Sequence, residues 1–164
     1  MRKIFIIIIT IFASNIFAQQ PGYISGEASV NLVVPLSVKS GAGDLDFGDI
    51  LVTNSSFTET ISPKKGKEFL VVGQPGRNVT IRFNSVELTN YQWASLNNGE
   101  MGQLKFIPNV VLQNSKKVID GSAFPLNKKG LIGELILQVG GAITVNPKQP
   151  IGNYEGLFVL SVTY

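Results

Sequence analysis

The apolar residues of this chain occur in short runs that alternate between two faces, and this pattern is the strongest constraint on its fold. The runs consist mainly of Val, Ile, Leu and Phe, and they are separated by Gly, Pro, Asn and Ser. A period of two residues is typical of half-buried β-strands. After the apolar N-terminus, no stretch keeps a helical period for more than one or two turns. The sequence therefore predicts an all-β protein.

The spacing of these runs predicts about nine strands in an immunoglobulin-like sandwich of two antiparallel sheets. The predicted strands are 28–38, 45–51, 57–61, 68–72, 78–83, 104–112, 131–139, 142–145 and 156–164. Gly140 and Gly141 are predicted to form a turn between two of them, because adjacent glycines adopt positive φ without steric cost. Pro35 and Pro108 interrupt apolar runs, which favours an edge strand or a bulge at each position.

The first eighteen residues have the composition of a Sec-type signal peptide. Arg2 and Lys3 precede an apolar run at 4–12, and the small residue Ala18 stands before Gln19. The apolar run is shorter than the roughly 20 residues that a membrane-spanning helix needs. We therefore expect removal of residues 1–18 and a single exported domain at 19–164, without a transmembrane anchor. Its expected location is the periplasm, the cell surface or the extracellular space.

Composition argues against several classes of function. The chain has no Cys and no His, which removes thiol nucleophiles, imidazole bases and nearly all zinc and copper ligand sets. Lys and Arg outnumber Asp and Glu by 14 to 11, and loss of Arg2 and Lys3 with the signal peptide would bring the two charges near balance. A nearly neutral domain has no electrostatic footprint for nucleic acid. We expect no cofactor and no nucleic-acid partner.

Two short motifs have the residue types of a chemical site. The segment 62–65 matches the S-x-x-K pattern of penicillin-binding enzymes, but Pro63 lies in a predicted hairpin and no S-D-N or K-T-G partner follows. The carboxylates of Asp44, Asp46 and Asp49 suit Ca²⁺, but a strand would place Asp49 on the opposite face from the other two. A turn or capping role is the other reading of this cluster. We predict no catalytic residue, no metal site and no enzymatic activity.

The last eleven residues predict a strand that belongs to the core. A turn at Gly156 leads into an alternating run, and one face of that run consists of Phe158, Leu160, Val162 and Tyr164. A chain end inside a core strand is unusual, because termini are normally frayed and polar. Such an ending recurs in secreted bacterial β-sandwich subunits, so it favours a structural or binding module over an enzyme.

The segment from Tyr23 to Val38 has a second alternating apolar face. The residues on this face are Ala28, Val30, Leu32, Val34, Leu36 and Val38. One interpretation is that the segment is the domain's own first strand. The other is that a neighbouring copy accepts it as an added strand, which fills a hydrophobic groove by β-augmentation.

Four segments, taken in order, resemble one bacterial family. They are LDFGDI at 45–50, FLVVGQPG at 69–76, ILQVGG at 136–141 and the GxYxG…VxY ending at 152–164. From about residue 28 to residue 164, the chain resembles the family known as domain of unknown function 4402. That family is similar in layout to spore-coat-U-like proteins and, more distantly, to chaperone-usher pilins. The resemblance implies a secreted immunoglobulin-like subunit with no known catalytic residue.

These observations predict an exported structural subunit of the fimbrial or coat type that assembles through β-strand contacts. Its expected partners are other surface or fimbrial subunits or further copies of itself, with a periplasmic chaperone as another candidate. The alternative is a monomeric adhesin-like module that uses the Tyr91–Gly99 loop of the polar segment 88–99, where Tyr91 and Trp93 stack on a sugar or contact a receptor. These two aromatics would otherwise cover one end of the core. An extracellular enzyme is the third reading.

Overall fold

The computed structural model describes residues 30–99 and 102–164. Contacts divide the chain into two units, Met1–Asn31 and Leu32–Tyr164, and the second unit contains every strand given below. The expected signal peptide at 1–18 lies outside the described residues, and so does Ala28 of the expected first strand.

The second unit is all β with antiparallel pairing, which confirms the predicted fold class. Its strands are β1 (Ser37–Ser40), β2 (Phe57–Ile61), β3 (Lys67–Gly73), β4 (Asn78–Phe83), β5 (Val86–Thr89), β6 (Gln103–Leu112), β7 (Lys117–Val118), β8 (Ser122–Pro125), β9 (Asn127–Lys129), β10 (Ile132–Val145) and β11 (Leu160–Thr163). A 3₁₀ turn at Pro63–Lys65 and the helix α1 (Tyr91–Leu96) interrupt them. No helix of the described residues is long and apolar enough to cross a membrane.

The strands form two sheets, and the longest strand, β10, lies in the middle of the larger one. The larger sheet has the order β1-β3-β10-β6-β5, with β2 and β9 also paired to β10 and β7 paired to β6. The smaller sheet has the order β11-β4-β8. Along β10, one edge pairs first with β3 and then with β2, and the other edge pairs with β9 and then with β6.

The main hydrophobic core joins the two sheets. Leu135, Leu137 and Val139 alternate along the inner face of β10, and they cluster with Val79 and Ile81 of β4. A second, smaller cluster of Phe106, Ile143 and Val145 continues from the C-terminal half of β10. The alternating pattern of the sequence thus corresponds to one buried face on each sheet.

The predicted turn at Gly140 and Gly141 is wrong, because β10 runs through both glycines without interruption. Neither glycine has positive φ. A Cβ on Gly140 would overlap the Ile61 carbonyl oxygen, and a Cβ on Gly141 would overlap the ring of Phe106. These positions need glycine because neighbouring atoms approach the backbone closely, and not because the chain turns.

The number and extent of strands also differ from the prediction. Residues 45–51 contain no strand, although they were expected to form one. Strands β5, β7, β8 and β9 were missed because each is only two to four residues long and depends on pairing with a longer neighbour. The predicted first and last strands are shorter than expected, at Ser37–Ser40 and Leu160–Thr163. The described residues thus contain eleven strands where about nine were expected.

The two prolines in apolar runs lie where ladder hydrogen bonds are absent. Pro35 precedes β1, which is the edge strand of the larger sheet. Pro108 lies in β6 opposite Gly141, between the residues of β6 that pair with β5 and those that pair with β7. At Pro108, therefore, one edge of β6 is not paired with a strand among the described residues. A proline is expected at such an edge because it has no backbone N–H to donate.

Candidate functional site

The N-terminal segment pairs with its own domain through β1. Ser37 to Ser40 pair antiparallel with Phe69 to Val72 of β3. The same register would next place Pro35 opposite Gln74 and Val34 opposite Pro75. Since proline has no backbone N–H, regular backbone pairing cannot continue past this point.

Side chains replace the missing backbone ladder at Val34. The Val34 N–H donates to Oε1 of Gln74 at 3.0 Å. The hydroxyl of Tyr164 donates to the Val34 carbonyl oxygen at 3.2 Å and accepts from the Gln74 N–H at 2.8 Å. Both polar backbone groups of Val34 are thus satisfied, and one tyrosine hydroxyl joins the N-terminal segment to the end of β3.

Close packing holds Tyr164 in this position. Gly73 lies beneath the hydroxyl, and a Cβ on this glycine would come within 2.5 Å of the Tyr164 oxygen and within 2.8 Å of Leu126 Cδ1. The guanidinium carbon of Arg77 lies 4.0 Å from the centre of the Tyr164 ring, which is cation-π geometry. We call the place where the Val34 backbone meets Gln74 and Tyr164 the Val34 slot.

The predicted apolar face of the N-terminal segment is divided by the slot. Leu36 packs against the main core and Val34 is half-buried in the slot. Val38 in β1 remains partly exposed, whereas Val30 and Leu32 are 80% and 84% exposed. The segment therefore docks through its last part, and the side chains of Leu32 and Val33 remain in solvent.

The predicted core face of the last strand lies toward the core in the structure. Phe158, Leu160 and Val162 are half-buried and pack against the main cluster. Phe158 also contacts the smaller cluster, with its ring centre 6.1 Å from that of Phe106. Tyr164, the fourth member of this face, is 41% exposed and reaches the Val34 slot.

The other face and the outer edge of β11 are open. Leu157 and Val159 just before the strand are 81% and 60% exposed. They line a shallow groove of about 300 Å³ together with Arg82 and Val86. In the described part of the chain, β11 pairs with β4 alone, so its second edge has no strand partner.

The LDFG segment forms a turn. Asp46 Oδ1 accepts from the Gly48 N–H at 2.8 Å, and Gly48 has φ +63°. Phe47 packs edge-on against Phe106 with ring centres 6.0 Å apart. Asp44 forms an exposed ion pair with Lys67 at 3.4 Å. No group of three potential ligands close enough for a metal ion occurs among the described residues.

The S-x-x-K segment at 62–65 also forms a turn. Ser62 precedes the 3₁₀ turn, and its carbonyl oxygen accepts from the Lys65 N–H at 2.9 Å. The turn is only three residues long. It is not the helix that holds the Lys beside the Ser in penicillin-binding enzymes.

The segment with Tyr91 and Trp93 contains the helix α1, where an open loop was expected. Asn90 caps this helix by accepting from the Trp93 N–H at 3.0 Å. Residues two apart on a helix do not share a face. Tyr91 is 68% exposed and Trp93 is half-buried, so the structure does not combine them in one stacking surface.

A buried polar network below α1 was missed by the sequence interpretation. Asn90 donates from Nδ2 to the Ile151 carbonyl oxygen at 3.2 Å. Gln149 donates to the Tyr154 hydroxyl at 2.9 Å, and that hydroxyl donates to the Pro150 carbonyl oxygen at 2.8 Å. The sequence offered one signal for part of this network, because Asn90 directly before Tyr91 is a residue type that often caps the start of a helix. The polar side chains of Asn90, Gln149 and Tyr154 thus have hydrogen-bond partners inside the domain, which indicates a structural role.

Comparisons with known proteins add no family to this geometry. A scan against protein-family models finds no matching family, and a search of curated proteins finds no match.

Proposed function

We propose that this protein is an exported structural subunit that assembles with other surface subunits, including copies of itself, through β-strand contacts. The observation that carries the proposal is the open edge of β11 beside the exposed side chains of Leu157 and Val159. The proposal assigns no catalytic residue and no cofactor to the chain.

An open strand edge is a template for pairing with another strand. Many proteins protect such edges with Lys, Pro or a bulge. β11 has the sequence Leu-Ser-Val-Thr, which contains no charge and no proline, and it pairs with β4 without a bulge. The edge therefore lacks these protections against strand addition.

The exposed apolar side chains next to this edge would add to the affinity. Full burial of a Leu or Val side chain contributes about 1.5 to 3 kcal/mol. Leu157 and Val159 are separated by one residue, so they lie on the same side of an extended chain. An added strand at β11 would bring apolar side chains near both of them.

Charging this surface is expected to abolish self-association. We predict that the Leu157→Lys/Val159→Lys double variant is monomeric at concentrations where the unmodified protein forms oligomers, because lysines are a common protection of strand edges. The mass of each protein is measured by light scattering after size-exclusion chromatography, over a range of concentrations.

The matched control is the Leu131→Lys/Ile151→Lys double variant. Both of these side chains are almost fully exposed and lie outside β11. The control adds the same charge and should assemble like the unmodified protein. A monomeric unmodified protein at all concentrations, or equal loss of assembly in both variants, would contradict assembly at β11.

The exposure of Tyr91 favours a second candidate function, a monomeric adhesin-like module. If this candidate is correct, Tyr91→Ala should weaken binding on a glycan panel by roughly 0.5 to 1.5 kcal/mol, since aromatic stacking carries the contact. Trp93→Ala serves as the comparison, because its half-buried ring would affect the fold first. Absence of binding by the unmodified protein, or unchanged binding by the Tyr91 variant, would exclude a stacking site at α1.

A further inference from the structure

The outer face of the larger sheet has a pocket above the C-terminal half of β10. Phe106 and Ile143 are buried in the smaller cluster. Their neighbours Ile107 and Ala142 pair with each other, so both lie on the opposite, outer face. The small side chain of Ala142 belongs to the floor of this open pocket. The pocket volume of about 450 Å³ is within the range of about 300 to 1,000 Å³ for small-molecule sites.

Two walls stand beside this floor. Residues 60–63, at the end of β2 and the start of the 3₁₀ turn, form one wall. Residues 107–109 of β6 and Lys117 of β7 form the other. The Cα atoms of the 3₁₀ turn come within 8 Å of those of β6, although β10 lies between β2 and β6. The turn therefore lies partly over β10, and we call the space between the walls the Lys117 pocket.

The lining of the Lys117 pocket offers polar side chains to a ligand. The hydroxyls of Thr60 and Ser62 and the side-chain amide of Asn109 make no hydrogen bond with another described residue. Isoleucine and proline side chains of both walls add apolar contacts. A sugar ring carries hydroxyls that donate and accept hydrogen bonds, together with apolar C–H groups. It therefore matches a site built from hydroxyl, amide and apolar side chains.

Positive charge is concentrated around this pocket. Lys117 lines one wall, and Lys64 and Lys65 directly follow Pro63 of the other. Among the described residues, these lysines have no ion-pair partner, and no Asp or Glu lines the pocket. In the row of the sheet that contains Lys117, the acidic residue is Glu68, three strands and roughly 14 Å away. The pocket therefore attracts an anionic group.

An extended peptide does not match this place. β6 is unpaired on one edge at Pro108, and proline has no N–H to donate. The hydrogen-bond ladder that holds an added strand is therefore incomplete beside the pocket.

We propose that the Lys117 pocket binds a carboxylated or sulfated sugar. The ammonium group of Lys117 binds the anionic group, and the side chains of Thr60, Ser62 and Asn109 bind ring hydroxyls. The pocket lies on the larger sheet, whereas the proposed assembly uses β11 of the smaller sheet. Sugar binding and assembly can therefore succeed or fail separately.

The test measures the Kd of three oligosaccharides by isothermal titration calorimetry at low ionic strength. The probes are an oligogalacturonate, which carries carboxylates, a κ-carrageenan oligosaccharide, which carries sulfates, and neutral maltohexaose. We expect an acidic probe to bind and maltohexaose not to bind, because the charge supplies the strongest contact. The acidic probe with the lower Kd identifies the preferred anionic group.

Two variants and a matched control locate the binding site. Lys117→Gln should raise the Kd of the acidic probe roughly tenfold, because a hydrogen bond to a charged group is lost. Ala142→Leu should abolish binding without a change of charge, because the larger side chain fills the floor of the pocket. Lys39→Gln removes the same charge from β1, outside the pocket, and should leave the Kd unchanged. Circular dichroism establishes that all three variants keep the fold.

The outcomes separate a pocket from general attraction between charges. Loss of binding in Lys117→Gln and Ala142→Leu, with Lys39→Gln unchanged, supports the proposal. Equal weakening in Lys117→Gln and Lys39→Gln overturns it, since the probe would then respond to net charge alone. Failure of both acidic probes to bind the unmodified protein, or equal binding of maltohexaose, also overturns it. Oligomer formation changes none of these conclusions.

Discussion

Replacement of Phe158 by Asp is expected to unfold the domain at room temperature. Phe158 packs against both hydrophobic clusters, and its ring lies 6.5 Å from Phe69 and 6.1 Å from Phe106. A carboxylate at this place would have no partner, and an unpaired buried charge costs several kcal/mol in addition to the lost packing. This loss is comparable with the whole stability of a typical domain, about 5 to 15 kcal/mol.

The neighbouring residue supplies the control for this prediction. Val159 points to the other side of the chain and is 60% exposed, so Val159→Asp should change the unfolding temperature little. Thermal unfolding followed by circular dichroism measures both variants. Cooperative unfolding of Phe158→Asp at the temperature of the unmodified protein would show that this face of the chain is not part of the core.

The sequence predicted the strands whose side chains alternate between core and solvent. The predicted strand 78–83 matches β4 in both bounds, because its apolar residues recur with a two-residue period. The predicted strand 57–61 matches β2 in both bounds, although only Phe57 and Ile61 at its ends are partly buried. β7 and β9 have no such period, since their residues are mostly polar and the strands exist through pairing with β6 and β10. Both pair with residues close to them in the sequence, but a strand of two or three residues is too short to show a period.

The contacts at the Val34 slot could not have been predicted from a local pattern, because they join residues that are distant in the sequence. The alternating pattern assigned one role to all apolar residues from 28 to 38, and the structure divides the described ones between core, slot and solvent. The division depends on Pro35 and Pro75, which stop the ladder, and on Tyr164, which is 130 residues from Val34 in the sequence. Only the folded chain brings these residues together.

The role of a glycine is a second feature that the sequence pattern could not predict. Glycine serves both at turns with positive φ and at places where other atoms approach the backbone. Gly48 has the first role and Gly140 the second, but the sequence has the same letter for both. The structure distinguishes them by the backbone angle and by the space where a Cβ would lie.

Gly140→Ala is expected to destabilise the domain by about 3 kcal/mol, because small-to-large changes in packed places have costs of this size. The added Cβ would overlap the Ile61 carbonyl oxygen and lie 2.6 Å from the Pro63 nitrogen. Both are backbone atoms, so no change of rotamer relieves the overlap. β2 and the 3₁₀ turn would have to move away from β10, which would disturb the pairing of Gly141 with Ile61.

Urea denaturation measures this change in the free energy of unfolding, and Gly102→Ala is the matched control. The atoms nearest to a Cβ on Gly102 lie at 3.4 Å, an ordinary contact distance, and this glycine does not have positive φ. The control should therefore remain within about 1 kcal/mol of the unmodified protein, since alanine also restricts the unfolded chain more than glycine does. Equal stability of the two variants would mean that β10 and the β2–β3 connection are not packed closely at Gly140. It would favour the turn that the sequence predicted at Gly140 and Gly141.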